Sequence, residues 1–285
     1  MSRPPSDVLQ AFGVTTEPVP IDEGRGLCFR AGGTVLKPSD DDEVAEGIAR
    51  LTESLIALQP TEYRLSKPIK PRDHDGFVYK QWTAWTFLEG EAVPVGNFDK
   101  ILKACRALNR DLATLHKEPP DFLRRITNRW TEADLVTWHR KDLGRVRNVH
   151  GKVLYWIRSQ LDALTMMMRF SNHEFTEQLI HGDLTGNVLF DEHNPVPGII
   201  DLTLYWRPAE YAEAIVIADG LIWHDQRRRL VELYGTSSRR LYLLCLALYW
   251  RILTFAIDTE MEWVEEAFDH ANLQGAINVL EDFFL

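Results

Sequence analysis

The stretch "HGDLTGNVLF" (residues 181–190) places Asp183 and Asn187 in a short turn that leads into an apolar strand. Shortly afterwards, "GIID" (residues 198–201) has the character of a second strand and ends on Asp201. The intervening "DEHNPVP" is rich in turn-forming residues, so the sequence predicts a β-hairpin that returns the chain to its starting edge. We therefore expect Asp183, Asn187 and Asp201 to lie at one edge of that hairpin.

These three side chains suit a particular chemistry. Mg²⁺ prefers hard oxygen ligands and usually binds through one or two protein side chains together with nucleotide phosphates. A carboxylate that does not bind the metal could accept a hydroxyl proton. The alternative for Asp183 and Asn187 is an Asx-turn that only closes the loop, and for Asp201 it is a cap at the end of a strand.

Composition narrows the range of functions. The chain has 285 residues, of which 45% are hydrophobic and 26% charged, so it can bury a full core and form one large domain or two lobes. Its formal net charge of −10 argues against a nucleic-acid partner. The cysteines Cys28, Cys105 and Cys245 lack CxxC spacing, which argues against a disulfide framework or a zinc site and favours a cytoplasmic location.

No membrane association is expected from the sequence. The N-terminus lacks the basic region and apolar run of a secretion signal. The most apolar segment, residues 241–257, is marginal in length for a bilayer and contains Arg251. The sequence therefore predicts a buried helix in this segment.

Along the chain, strand patterns precede helical ones. The runs "PVPID", "LCFRAGG", "TVLKP", "YRLSKPI" and "FVYKQWTAWTFL" are β-prone, whereas residues 40–58 have apolar positions at helical spacing behind an acidic first turn. After a linker, Asn97 is the expected N-cap of a second helix, and further helical segments follow, interrupted only by "NVLF" and "GIID". The pattern predicts an α+β protein with a small β-rich lobe containing one main helix (residues 1–90) and a larger, mostly helical lobe (residues 91–285).

The motifs around Asp183 resemble those of a known family. "LIHGDLTGNVLF" and "GIIDLTLYW" are similar to the catalytic and metal-binding motifs of the aminoglycoside phosphotransferase-like kinases, relatives of protein kinases in which His-Gly-Asp replaces His-Arg-Asp. The resemblance covers nearly the whole chain, points to an actinobacterial type of branch and implies a bilobal protein-kinase-like fold. It further implies that Asp183 is the catalytic base, that Asn187 and Asp201 hold Mg²⁺, and that His181 braces the catalytic loop.

The first lobe is similar to the nucleotide-binding lobe of the same family. "EGRGLCFRAGGTVLKP" (residues 23–38) resembles a glycine-containing phosphate loop between two strands, followed by a third strand that carries Lys37. By this resemblance, Gly24 and Gly26 let the backbone approach the phosphates, and Lys37 contacts the α- and β-phosphates. The cofactors implied are ATP, or GTP, and Mg²⁺.

Two further features of the first lobe follow from the resemblance. A glutamate on the next helix should hold the lysine, and Glu46 is the residue we choose, although Glu43 lies nearer the apolar stripe of that helix. The run "TAWTFLEG" corresponds to the connector between the lobes. The backbone of Thr86, Phe87 and Leu88 is therefore expected to hydrogen-bond to adenine.

The implied reaction is transfer of the γ-phosphoryl group of ATP to a hydroxyl of a small molecule, with one competing interpretation. The family places five steps between the catalytic Asp and the metal-binding Asn, but Asp183 and Asn187 are separated by four. A further Gly-Asp-Pro and Asp set found in many relatives after the second metal ligand is also missing. These departures leave a nucleotide-binding pseudokinase or scaffold without transfer activity as the alternative.

Other enzyme classes explain fewer features of the sequence. The chain has no GxxxxGK[ST], HExxH or GxSxG motif, so a P-loop NTPase, a zincin and an α/β-hydrolase are unsupported. A metallohydrolase built from His181, Asp183 and Asp201 would leave Lys37 and the glycine loop unexplained.

The acceptor is expected to be a small hydroxylated molecule, for which a cationic aminosugar is one candidate. Acidic side chains near the C-terminus could line a pocket for such a cation, although a solvated helix face is the alternative. These acidic residues are Glu260, Glu262, Glu265, Glu266 and Asp269. Tryptophans that could stack on a ring, or belong to the core instead, are Trp206, Trp223, Trp250 and Trp263.

Overall fold

The computed structural model describes residues 3–21, 27–169, 173–257 and 261–284. Its backbone forms two compact units. The first comprises Met1–Val93, Arg110–Arg125 and Asn187–Leu202, and the second comprises Pro94–Asn109, Ile126–Gly186 and Thr203–Leu285. The division at residue 90 into a nucleotide-binding and a catalytic lobe stays a prediction.

The first unit contains two sheets. Its elements, numbered along the whole chain, are α1 (Ser6–Ala11), β1 (Val19–Pro20), β2 (Phe29–Ala31), β3 (Thr34–Pro38), α2 (Asp42–Ala57), β4 (Arg64–Leu65), β5 (Pro68–Ile69), β6 (Val78–Tyr79), β7 (Trp82–Thr86), a 3₁₀ turn (Asp121–Arg125), β9 (Val188–Asp191) and β10 (Asn194–Ile199). The larger sheet has the order β1-β2-β3-β7-β5, with β6 paired to β7, and the smaller has the order β4-β10-β9. Because β10 pairs with β4, residues 187–202 belong to this unit.

An apolar core fixes the larger sheet. Val8 of α1 and Phe12, which directly follows that helix, are buried in one cluster with Phe29, Leu36 and Trp82 of the sheet. Successive side chains of a strand alternate between the two faces. The residue that follows Leu36 on β3 is therefore directed away from this core.

Helix α2 begins where the sequence predicts an acidic first turn. The side chain of Asp41 accepts hydrogen bonds from the backbone N–H groups of Glu43 and Val44, which would otherwise lack a helical partner. Of the apolar positions that predict this helix, Leu51 and Leu55 are buried, Val44 and Ile48 are half-buried, and Leu58 is exposed.

The second unit is mostly helical. Its elements are α3 (Phe98–Leu115), whose last turns belong to the first unit, α4 (Arg129–Thr137), a 3₁₀ turn (Leu143–Arg145), α5 (Gly151–Met168), β8 (Gln178–His181), β11 (Leu204–Arg207), α6 (Ala209–Trp223), α7 (Arg228–Tyr234), α8 (Ser238–Ile257), α9 (Met261–His270) and α10 (Leu273–Glu281). Helix α8 packs against α4, α5 and α6. The strands β8 and β11 pair antiparallel, with Leu204 opposite His181.

Helix α8 is long and apolar enough to cross a bilayer, but 78% of its most apolar window is buried inside the protein. That burial is the pattern of a core helix. The prediction of a buried helix around Arg251 agrees with this packing.

The α+β class is confirmed, with strands concentrated in the N-terminal region and helices in the C-terminal region. The expectation that only "NVLF" and "GIID" interrupt the later helices is wrong, because β8 and β11 also lie there. Each of these two strands has four residues. Short apolar runs of this kind cannot be distinguished from buried helix by periodicity alone.

Candidate active site

The turn that carries Asp183 follows β8 in the second unit. His181 is fully buried, and its Nδ1 accepts the backbone N–H of Asp183 at 3.1 Å. Gly182 donates its N–H to the carbonyl of Thr203 at 2.8 Å, and a Cβ at Gly182 would lie 2.5 Å from the ring of Tyr205. The turn therefore requires glycine between the histidine and the aspartate. The catalytic roles of His181 and Asp183 stay predictions.

An arginine from α8 joins the Asp183 carboxylate to a second carboxylate. Arg251 Nη2 donates to Asp183 Oδ1 at 3.0 Å and to Asp219 Oδ2 at 2.8 Å, and Arg251 Nε donates to Asp219 Oδ1 at 2.8 Å. Thr185 Oγ1 donates to Asp219 Oδ2 at 2.9 Å. The side chain of Asp183 is 45% exposed, whereas that of Asp219 is only 6% exposed. The buried carboxylate thus anchors the arginine, which in turn holds the accessible one.

Burial and ion pairing together set the pKa values in this network. Burial alone would lower the pKa of Arg251, but the carboxylates of Asp219 and Asp183 more than offset it, so the pKa lies above its usual value. Burial raises the pKa of Asp219, and Arg251 offsets part of that shift. Arg251 is therefore a full positive charge beside Asp183 at neutral pH.

Asp219 and Arg251 were not among the site residues that the sequence predicted. A signal for both was present, because each is an isolated charge within a long apolar run, residues 214–222 for Asp219 and residues 241–257 for Arg251. Such charges are almost never fully buried unless they are paired. The sequence did not reveal which charges pair, because Asp183, Asp219 and Arg251 come from separate elements.

A cavity of about 300 Å³ opens beside Asp183 within the second unit. Its lining comprises Trp130, Asp183, Thr185, Gly186, Asp219, Trp223, His224, Arg251, Thr254, Phe255 and Trp263. Burial lowers the pKa of His224, so this ring is neutral at pH 7. Of the four tryptophans considered above, Trp223 and Trp263 line this cavity, whereas Trp250 is in the core and Trp206 lines a different cavity.

The predicted hairpin is present in the first unit. β9 and β10 pair antiparallel, with Ile199 opposite Val188, and the Ile200 N–H donates to the Asn187 carbonyl at 3.0 Å. Asn187 and Asp201 therefore lie at the same end of this hairpin. Asp201 has a φ of 51°, a left-handed conformation that is uncommon for residues other than glycine and that recurs at functional sites.

Lys37 lies on β3 as predicted, and its side chain forms an ion pair with Asp201. These residues are separated by 164 positions in the sequence. The fold of the first unit thus joins the predicted phosphate-binding lysine to a predicted metal ligand.

The expected contact between Glu46 and Lys37 is wrong. Glu46 instead accepts the backbone N–H of Phe77 at 2.6 Å and forms an ion pair with Arg50 at 2.6 Å. The carboxylate of Glu46 therefore meets the turn before β6 and not β3. Glu43, the alternative choice, pairs with Arg125.

The predicted adenine-binding backbone is only partly available. The N–H of Thr86 donates to the carbonyl of Lys67 and that of Phe87 to the carbonyl of Gly33, each at 2.8 Å. Their use as donors to adenine is therefore contradicted. Leu88 makes no backbone hydrogen bond to another described residue, so it is the remaining candidate of the three.

Several predicted residues lie elsewhere or cannot be placed. Gly24 and Gly26, Glu260, and the side chain of Glu262 lie outside the described residues. Glu265 pairs with Lys152 at 3.6 Å and, together with Asp269, lines a different cavity of the second unit. None of the described acidic residues of α9 lines the cavity beside Asp183.

No group of three or more His, Cys, Asp or Glu side chains within the described residues is arranged to hold a metal. The predicted metal ligands are only two side chains, the amide of Asn187 and the carboxylate of Asp201. Such a set suits Mg²⁺, which completes its coordination with phosphates and water.

Comparisons with known proteins agree with this arrangement. Solved structures that resemble this chain include the spectinomycin phosphotransferase APH(9)-Ia in complex with ADP and spectinomycin (13% identity, TM-score 0.60, 98% of this chain and 97% of that chain). A thermostable mutant of APH(4)-Ia in a ternary complex with AMP-PNP and hygromycin B is also similar (13% identity, TM-score 0.58, 96% and 97%). So is an aminoglycoside phosphotransferase from Alicyclobacillus acidocaldarius subsp. acidocaldarius DSM 446 (13% identity, TM-score 0.54, 99% and 96%). These likenesses confirm the predicted protein-kinase-like fold.

A search of the curated proteins found no match. The family model described as "Phosphotransferase enzyme family" matches residues 28–229. Because that match spans more than half of the chain, the protein belongs to the phosphotransferase enzyme family, as its motifs predict.

Proposed function

We propose that the protein transfers the γ-phosphoryl group of ATP, or of GTP, to a hydroxyl group of a small molecule. The observation that carries this proposal is the ion pair between Lys37 and Asp201, since it brings together two groups that a nucleotide-bound metal and its phosphates require. Similar proteins have been solved in complex with ADP and spectinomycin, and with AMP-PNP and hygromycin B. These complexes support the proposal that this protein binds a nucleotide and a small-molecule acceptor.

The hairpin of the first unit fits Mg²⁺. Asn187 and Asp201 offer oxygen ligands at the same hairpin end, and they would hold the ion. The ion would supply positive charge that offsets the negative charge of the phosphates. Lys37 would exchange part of its contact with Asp201 for the phosphates, because both are anionic partners for one ammonium group.

Asp183 supplies the proton acceptor. As the acceptor oxygen attacks the γ-phosphorus, its proton passes to the Asp183 carboxylate, and the bond between the phosphorus and the ADP oxygen breaks. Arg251 fixes the orientation of that carboxylate through the bond to Oδ1. Positioning of this kind lowers the barrier because the reacting groups need not be ordered during the reaction.

Nucleotide binding tests the metal half of the proposal. Thermal unfolding is measured with ATP or GTP, with and without Mg²⁺, on the wild type and on Asp201→Ala. At about 100 times the dissociation constant, the nucleotide should stabilise the wild type by about 2.7 kcal/mol, a shift of a few degrees. Asp201→Ala should lose the Mg²⁺-dependent part, whereas Asp191→Ala, a matched change on the same hairpin, should keep it. Equal stabilisation of both variants would contradict the assignment of Asp201.

Phosphoryl transfer tests the catalytic half. Labelled γ-phosphate from ATP is followed into a panel of hydroxylated acceptors with the wild type and Asp183→Asn. The variant should lose transfer by about 10²- to 10⁴-fold, the typical contribution of a general base, and should still bind nucleotide. Transfer at the wild-type rate would show that Asp183 is not the base.

A pseudokinase is the second candidate, and the short spacing between Asp183 and Asn187 favours it. It predicts stabilisation by nucleotide that does not depend on Mg²⁺ and no transfer to any acceptor. Sustained transfer that requires Asp183 rules it out.

A further inference from the structure

Among the described residues, the cavity beside Asp183 is lined by two carboxylates and by a larger aromatic surface. We infer that it receives a neutral acceptor that carries a flat apolar or aromatic ring beside the reacting hydroxyl, and that it discriminates against aminosugars with several ammonium groups. This inference deepens, and rests on, the proposed transfer to a hydroxyl at Asp183.

The carboxylates of the cavity are already engaged by a cation of the protein. Asp183 and Asp219 are the acidic residues in its lining, and Arg251 bonds to both. Asp219 is buried, and its second oxygen also accepts a bond from Thr185. A ligand with several ammonium groups would need carboxylates that replace its water, because burying an unpaired charge is costly. The described part of this lining does not offer a set of such carboxylates.

Aromatic rings form much of the remaining wall. Phe255 is 3% exposed and lies between two tryptophans that are more open, Trp223 at 38% and Trp263 at 40%. The centroid of the Phe255 ring is 6.0 Å from that of Trp223 and 6.3 Å from that of Trp263, and it is stacked with the latter at 18°. The exposed parts of Trp223 and Trp263 provide aromatic surface that a flat apolar ligand can contact.

The faces of aromatic rings also attract cations, so binding of a ligand ammonium depends on whether a cation of the protein already lies against them. The Arg129 guanidinium carbon lies 4.1 Å from the ring centre of Trp130 and 4.4 Å from that of Trp263. The protein thus already places a cation against two of the rings of this cavity. A ligand ammonium at the same rings would meet a like charge, whereas a neutral ring would not.

Equilibrium binding without nucleotide tests the inference independently of transfer. Isothermal titration calorimetry compares phenyl β-D-glucopyranoside, methyl β-D-glucopyranoside and gentamicin on the whole protein. The phenyl glucoside should bind about tenfold more tightly than the methyl glucoside, because the two differ in the ring that stacks. It should also bind more tightly than gentamicin.

Two variants locate the effect in this cavity. Trp263→Ala should remove the preference for the phenyl glucoside, and Trp263→Phe should restore part of it. Arg129→Gln should strengthen gentamicin binding by removing the like charge, whereas Arg158→Gln, an equal change of net charge at a side chain that lines another cavity, should not.

The outcomes separate this inference from the proposed function. Gentamicin binding as tight as that of the phenyl glucoside, no saturable binding of the phenyl glucoside, or no effect of Trp263→Ala would each overturn the inference. Transfer from ATP to gentamicin but not to the phenyl glucoside would also overturn it and leave the proposed function intact. Binding of the phenyl glucoside as expected, with no transfer to any acceptor, would contradict the proposed function alone.

Discussion

At the scale of single residues, Arg251 has a large expected effect on stability. Arg251→Met would leave Asp219 buried with no cationic partner, which should lower the free energy of unfolding by about 3–5 kcal/mol. Arg228→Met is the matched control, because Arg228 forms an exposed pair with Glu232 and such pairs contribute about 0–1 kcal/mol. Urea unfolding followed by circular dichroism measures both. Equal losses in the two variants would show that the buried network does not stabilise the protein.

His224 gives a residue-level dependence on pH. Burial lowers its pKa in the folded state below the usual value of 6.5. As the pH falls through about 6.5, the unfolded chain therefore takes up the proton before the folded protein does, and the stability contributed by the neutral ring is lost. The slope of stability against pH just below about 6.5 should be smaller in His224→Gln than in the wild type. Identical slopes would mean that His224 titrates alike in both states.

Side-chain partners were the least predictable feature at this scale. The order of motifs correctly placed Lys37 on a strand and Asp201 at a hairpin end, because both follow from local patterns. Glu46 was assigned to the wrong partner, since the direction of a carboxylate on a helix depends on packing that spacing does not encode. The pairing of Arg251 with Asp219 was missed for a related reason, because it joins two different helices.

At the scale of elements, the turn that follows β8 and carries Asp183 depends on Gly182. A Cβ there would lie 2.5 Å from the Tyr205 ring on β11, so Gly182→Ala should displace the strand pair and cost about 1–3 kcal/mol. Gly186→Ala is the matched control in the same loop, because a Cβ there would meet nothing within 4 Å. The melting temperature and the transfer activity should both fall in Gly182→Ala. The melting temperature of Gly186→Ala should change little. A stable, active Gly182→Ala protein would show that the ring can move away without loss.

Elements with long, regular patterns were predicted well. Helices α2 and α3 were found because their apolar residues recur over several turns, and the β9–β10 hairpin was found because turn residues separate two apolar runs. The strands β8 and β11 were missed, as their brief apolar runs fit a buried helix equally well. These two segments are strands because they pair with each other, and that pairing joins residues that precede the β9–β10 hairpin in the sequence to residues that follow it.

At the scale of the whole molecule, the first unit is assembled from segments that are distant in sequence. Within it, β4 pairs with β10, and the Arg64 Nε donates to the Val196 carbonyl at 2.8 Å. The buried Tyr63 donates its hydroxyl to Asp111 at 2.6 Å. Residues 1–93 alone lack both partners. The predicted boundary at residue 90 could not reveal that residues 110–125 and 187–202 belong to the first unit. A change in composition along the chain does not show which later segments pack against earlier ones.

A fragment of residues 1–93 should therefore fail to unfold cooperatively, since it loses a strand neighbour and leaves a buried hydroxyl without an acceptor. Thermal circular dichroism and amide NMR dispersion would measure this against the full chain. A chain that joins residues 1–125 to residues 187–202 through a flexible Gly/Ser linker restores every segment of the unit and should regain a cooperative transition. If residues 1–93 instead gave a sharp transition and a dispersed spectrum, the hairpin would be dispensable for folding, and its retention would be explained by Asn187 and Asp201 alone.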